Sequence, residues 1–196
     1  MALEIVIPDS GPLMSLGRVN RLDLLDRFAC PILITDMVAD EVLRGMPGAP
    51  DASVFKEWFD RRGNQIQTVE TSIGILWRAV PPEQKDLLRR IKDAGETSIW
   101  QFANTLERTM SPSDEALLLF EDSAVKKMDF GPKVTKVTTW SFFLGLERMG
   151  VIPSADGLIA EIADQKRVIV RDPFESRAPE SDLSTDWTER YRPGDS

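Results

Sequence analysis

Leu3-Glu4-Ile5-Val6-Ile7-Pro8 runs without a break into Asp9-Ser10-Gly11-Pro12-Leu13. A short apolar, β-branched run that ends in a carboxylate and then a glycine reads as strand, turn and helix start. Asp9 at that junction has two readings. It caps the following helix, or it is a metal or substrate group in the crevice beyond the strand ends of an open α/β sheet. The choice depends on whether other acids stand in equivalent places.

Two further stretches repeat the pattern. Pro31-Ile32-Leu33-Ile34-Thr35 reads as a buried strand, with Thr35 or Asp36 capping a helix that runs to about Arg44. Ala116-Leu117-Leu118-Leu119-Phe120 is an unbroken apolar run of the kind buried on both faces, and Glu121-Asp122-Ser123 closes it as Asp9-Ser10 closes the first. Strands are also predicted at Gln65–Val69 and Val134–Thr138. Helices are predicted at Ala52–Arg62, within Ser72–Lys92, from Gly95-Glu96 onward with Ile99, Trp100, Ala103 and Leu106 inward, and at Trp140–Met149 and Ser154–Ala163. Strands alternating with helices predict a three-layer α/β/α domain, doubly wound around a mainly parallel central sheet. Residues 1–166 are assigned to that domain. Val168-Ile169-Val170 could add a short edge strand, and the charged, Pro- and Ser-containing tail, 167–196, is expected to be largely disordered.

Composition removes whole classes of chemistry. With 196 residues and 42% apolar content the chain can bury a core. It has no histidine, which excludes serine–histidine and cysteine–histidine catalysis and the usual zinc sites. Its one cysteine, Cys30, has no internal disulfide partner and reads as a small buried hydrophobe. No apolar run reaches the ~20 residues of a membrane span and no signal-peptide pattern is seen, so a cytoplasmic location is expected. The net charge of −8 argues against a general nucleic-acid coat and leaves only local basic groups, such as Arg89-Arg90-Lys92 and Lys126-Lys127, for phosphate contacts. Ser123-Ala124-Val125-Lys126 fits a serine–lysine pattern formally, but its companion motifs are missing and Ser123 reads as a helix cap.

What remains is carboxylate chemistry. Asp9 and Asp122 each close a strand and fall at one edge of the sheet if those strands are parallel. Glu41 shares a helix face with Met37 and Val38, and Glu96 with Ile99 and Trp100, where leucine would be ordinary. Asp40 should face solvent, and Glu121 is ambiguous. An unpaired buried carboxylate costs several kcal/mol, so such acids pair, take up a proton or hold a cation. Four at two strand ends and two helix faces point to an acidic pocket for a hard cation, Mg²⁺, Mn²⁺ or Ca²⁺.

At this point the chain resembles a family. Asp9-Ser10-Gly11-Pro12-Leu13, Thr35 with Glu41, Gly95-Glu96, and Leu117 to Asp122 followed by Val134 and Thr138-Thr139 look like the PIN-domain nucleases. Gly150-Val151-Ile152-Pro153-Ser154 is similar to a signature of the VapC-like, toxin-related branch. The resemblance implies a PIN-like fold and a Mg²⁺- or Mn²⁺-dependent ribonuclease. It also implies an RNA substrate, an antitoxin partner and a homodimer. It matches Asp9, Glu41, Glu96 and Asp122 to the catalytic, metal-binding acids, with Ser10, Glu121 and Thr139 lining the pocket. Many relatives have two aspartates where Glu121-Asp122 stands. The contrasting reading is a catalytically degraded PIN-like protein-binding module, with Trp187 and Tyr191 in a free tail available to a partner.

Overall fold

The computed structural model describes residues 2–44, 51–81, 94–170 and 186–192. The Gly45–Pro50 breaker, the Arg89-Arg90-Lys92 group and the end of the helical stretch to Lys92 lie outside these residues. The strands are β1 (Ala2–Pro8), β2 (Ile32–Thr35), β3 (Ile66–Val69), β4 (Asp114–Phe120) and β5 (Val134–Thr138). They form one five-stranded sheet in the order β3-β2-β1-β4-β5, and every pairing is parallel. Helices α1 (Ser10–Arg18), α2 (Asp36–Arg44), α3 (Asp51–Arg62), α4 (Ser72–Ala79), α5 (Ala94–Thr109), α6 (Ser123–Lys127), α7 (Thr139–Arg148) and α8 (Ala155–Asp164) flank it as a three-layer α/β/α fold. Leu22–Arg27 forms a 3₁₀ segment. Among the described residues no helix is long and apolar enough to cross a membrane.

Burial follows strand position. Ala116–Phe120 of β4 and Val6 and Ile7 of β1 are buried, as central parallel strands covered on both faces must be. The edge strands β3 and β5 keep exposed residues such as Gln67 and Lys136. On α5 the inward stripe is Ile99, Phe102, Ala103 and Leu106, at intervals of three and four. Trp100, expected inward, is 44% exposed because it stands one residue, about 100°, round from Ile99. Gly150 ends α7 at φ +70°, with Val151 N donating to Leu146 O at 2.9 Å, so the turn needs a residue that accepts the left-handed region. Ser154 then caps α8 by accepting from Gly157 N.

Residues 186–192 depart from the expectation of a largely disordered tail, while 171–185 and 193–196 lie outside the described residues. Val168–Val170 joins no strand, and residues 186–192 pack onto the domain. Phe28 and Tyr191 form an antiparallel bridge, and Tyr191 donates its hydroxyl to Leu24 O at 2.7 Å. Trp187 is 4% exposed and lies 5.3 Å from the Phe142 ring and 5.8 Å from Tyr191. The apolar content of these aromatics outweighs the charges around them, which composition alone did not reveal. Gly145 makes room for Trp187, because a Cβ there would sit 2.4 Å from its ring. Trp187→Ala is expected to cost about 3 kcal/mol in urea unfolding. An unchanged midpoint would mean that this segment adds nothing to the fold.

Candidate active site

In the strand order 3-2-1-4-5, β1 and β4 are the neighbours from which the chain leaves in opposite directions, and the crevice beyond their carboxyl ends is the natural ligand position. Pro8 pairs with Leu119, and Asp9 N donates to Leu119 O at 2.9 Å, which carries the ladder one residue further. Asp9 therefore emerges in that crevice. It is 4% exposed, and its Oδ1 accepts from Ser10 N at 2.7 Å. Asp9 caps α1, and it also lies close to other acids. Burial first, then the charges of Glu96, Glu41 and Glu121, push its pKa up to about 7 against the Ser10 hydrogen bond that lowers it.

Glu41 and Glu96 come from helices joined beneath the pocket. Thr35 closes β2, is fully buried, and lies 2.6 Å from Ser98 Oγ of α5. Ser98 gives its own hydrogen to Gly95 O at 2.6 Å, so Thr35 is the donor of the pair. This link sets the first turn of α5 against α2, and a Cβ on Gly95 would lie 3.3 Å from both carboxylate oxygens of Glu41. Glu41 is exposed as a residue, yet its carboxylate turns inward to the Ser10 hydroxyl. Desolvation raises its pKa, with Glu96 and Asp40 adding to the effect. Asp40, expected to face solvent, is half-buried. Ser98 was missed in the sequence because a serine on a helix interior carries no signal of its partner.

The end of β4 resolves the Glu121-Asp122 ambiguity in an unforeseen way. Glu121 is the third acid acting on Asp9, after Glu96 and Glu41. Its side chain is 11% exposed and held at both oxygens, Ser15 Oγ donating to Oε1 at 2.6 Å and Arg167 Nη2 to Oε2 at 2.7 Å. Arg167 also donates through Nε to Ser15 Oγ at 2.6 Å and through Nη2 to Gly11 O at 3.1 Å. Gly11 permits this approach, since a Cβ there would come within 2.9 Å of Glu121 Cβ. Asp122 is exposed and caps α6, accepting from Ala124 N at 2.7 Å, so it rather than Ser123 is the cap. Thr139 is buried at the start of α7.

A cavity of about 700 Å³ is lined by Asp9, Ser10, Glu96, Glu121, Asp122 and Thr139 among others, and Glu41 is not among its lining residues. Ser123 and Lys126 also line it. The neighbouring basic residues Lys133 and Lys136 instead satisfy backbone carbonyls, of Glu107 and Met110 and of Lys126 and Met128 respectively. Cys30 is half-buried, and burial raises its thiol to about 11, so it is no resting thiolate. Among the described residues no three acidic, cysteine or histidine side chains converge into a ready-made cation site. The donor chemistry nonetheless suits a hard divalent ion. Every donor is an oxygen, and burial together with the nearby carboxylates pushes the Asp9 pKa up to about 7.

Compared with protein families, residues 5–128 match the DUF3368 family of PIN domains. No match was found among curated proteins or among solved structures. The matched span runs from Ile5 within β1 through α6 and contains all four acids expected to act, Asp9, Glu41, Glu96 and Asp122, as well as Glu121. PIN domains are nuclease folds, and this chain belongs to the PIN-domain family.

Proposed function

We propose that this chain is a Mg²⁺- or Mn²⁺-dependent ribonuclease that hydrolyses RNA phosphodiester bonds, acting as the toxin of a bacterial toxin–antitoxin pair. The reading rests on one observation above all. Asp9, at the β1/β4 crevice, is buried among Glu41, Glu96 and Glu121 with its pKa raised to about 7. Asp9, Glu96 and Asp122 would hold the principal ion, and Glu41 a second ion or the attacking water. When bound, the ion supplies an activated water and offsets charge building on the phosphate. Glu41, whose carboxyl holds a proton more tightly than an ordinary glutamate, is suited to accept one from water. Ser10 orients Glu41, and Ser10, Glu121 and Thr139 line the pocket. A cytoplasmic, homodimeric protein held inactive by an antitoxin completes the proposal.

The degraded, protein-binding reading is favoured by the Arg167–Glu121 pair, which neutralises one acid of the cluster. A labelled single-stranded RNA incubated with Mn²⁺, Mg²⁺ or EDTA, beside calorimetric titration with Mn²⁺, separates the two. Cutting that requires the ion supports the nuclease. No cutting and no Mn²⁺ binding would leave the binding module.

A further inference from the structure

The cavity is lined by apolar side chains as well as by acids. Met14, Phe120, Trp140, Ile169 and Val170 present apolar surface to this space. Holding an ion on a phosphate needs no such wall. At about 700 Å³ the cavity also exceeds what a phosphate would fill and lies in the range of about 300–1,000 Å³ typical of pockets that enclose an organic ligand.

The wall is held in place by Arg167. Its guanidinium is tied to Glu121, Ser15 and Gly11 O, so the residues that follow are laid against the cavity. Ile169 turns inward and is 6% exposed, whereas Val168 and Val170 are 80% and 79% exposed on either side of it. This alternation is that of an extended chain with one side chain aimed into the pocket. Lys126 brings a cation to the same cavity, and Thr138 and Ser123 bring hydroxyls.

We infer that the Ile169 side of this cavity is a seat for one unpaired nucleobase of the strand being cut, placed between the apolar wall and the acids. The inference rests on the nuclease reading and adds the part of the substrate that the site recognises. Flat aromatic bases suit a wall of Phe120, Trp140 and Ile169. A base inside a duplex has both faces stacked and cannot enter, so the seat selects single strands or bases turned out of a helix. Arg167 is a positioning residue here, since it acts through the segment that it anchors.

The test compares a short fluorescein-labelled single strand with the same strand made abasic, by anisotropy in Ca²⁺. Cleavage of each is followed separately in Mn²⁺. The protein is expected to prefer the base-bearing strand by about tenfold or more. Ile169→Ala and the fold-safe, rim-exposed Val170→Asp should each reduce that preference by about threefold or more, with binding to the abasic strand little changed. Equal binding of both strands by the unmodified protein would overturn the seat while ion-dependent cutting upheld the nuclease. A preference that survives both variants would place base recognition elsewhere. An equal loss on both strands would show that the wall acts on the backbone. Neither binding nor cutting of either strand would remove the nuclease reading and the seat with it.

Discussion

Asp9→Asn should make the metal-free protein more stable at pH 8 while abolishing ion-dependent cleavage. The folded chain raises this carboxyl from 3.8 to about 7, chiefly by burying it and secondarily by surrounding it with Glu96, Glu41 and Glu121. Between those two values the folded form keeps a proton that the unfolded form has released. Stability therefore falls as pH rises through the window and stays low above pH 7. At 1.36 kcal/mol per pKa unit the loss is about 4 kcal/mol. Asparagine keeps an oxygen to accept from Ser10 N and carries no charge. The variant should gain about 2–4 kcal/mol at pH 8 and little at pH 4, as measured by urea unfolding in EDTA. Mn²⁺ should stabilise the unmodified protein and not the variant, and cleavage should fall about a hundredfold or more. A variant no more stable at pH 8 than the parent would show that Asp9 carries no electrostatic strain, and undiminished cutting would remove it from the site.

Asp36→Ala is expected to cost about 3–5 kcal/mol through loss of a buried charge network. Asp36 begins α2 with its side chain 6% exposed. It accepts from Thr71 N at 3.1 Å, Thr71 Oγ1 at 2.6 Å, Arg78 Nη1 at 2.9 Å and its neighbour Met37 N at 3.0 Å. Thr71 in turn accepts from Gly74 N at 3.2 Å, and a Cβ on Gly74 would stand 1.8 Å from Asp36 Oδ2. One carboxylate thus binds the start of α2, the residues before α4 and α4 itself. Alanine would strand the buried Thr71 donors, whereas Arg78 is half-exposed and can turn to water. Asp36→Asn, which keeps part of the acceptor set, should lose less. Because α2 carries Glu41, cleavage should weaken before the protein unfolds. A loss below about 1 kcal/mol in the alanine variant would show that packing alone holds these helices.

The strands and the place of the acids could be read from local chemistry. Apolar runs that ended in Asp9, Thr35 and Glu121-Asp122 named three strand ends, and parallel pairing then brought Asp9 and the Glu121-Asp122 pair to one edge. Orientation at that edge could not be read. Whether Glu121 or Asp122 turned toward Asp9 depended on Ser15 and Arg167, the latter 46 residues away in sequence from Glu121. Trp187 and Tyr191 were hidden for a related reason. Their partners Phe28 and Phe142 belong to distant segments, and a few aromatics in a charged stretch do not form a periodic pattern. Glu41 shows the limit of helix-face counting. Its backbone position leaves the residue exposed while the carboxylate folds back to Ser10.

The clasp of Tyr191 and Trp187 on Phe28 and Phe142 has a consequence for the order of synthesis. When the growing chain has passed Asp164, all five strands and all the expected acids have been made. Arg167, Ile169 and the aromatic clasp have not. An emerging chain can thus assemble its sheet while Glu121 still lacks its counter-charge and the cavity one of its walls. Phe28, joined to the 3₁₀ segment that follows α1, waits for a partner made some 160 residues later. The complete pocket therefore forms only after Arg167, Ile169 and the aromatic clasp have been added.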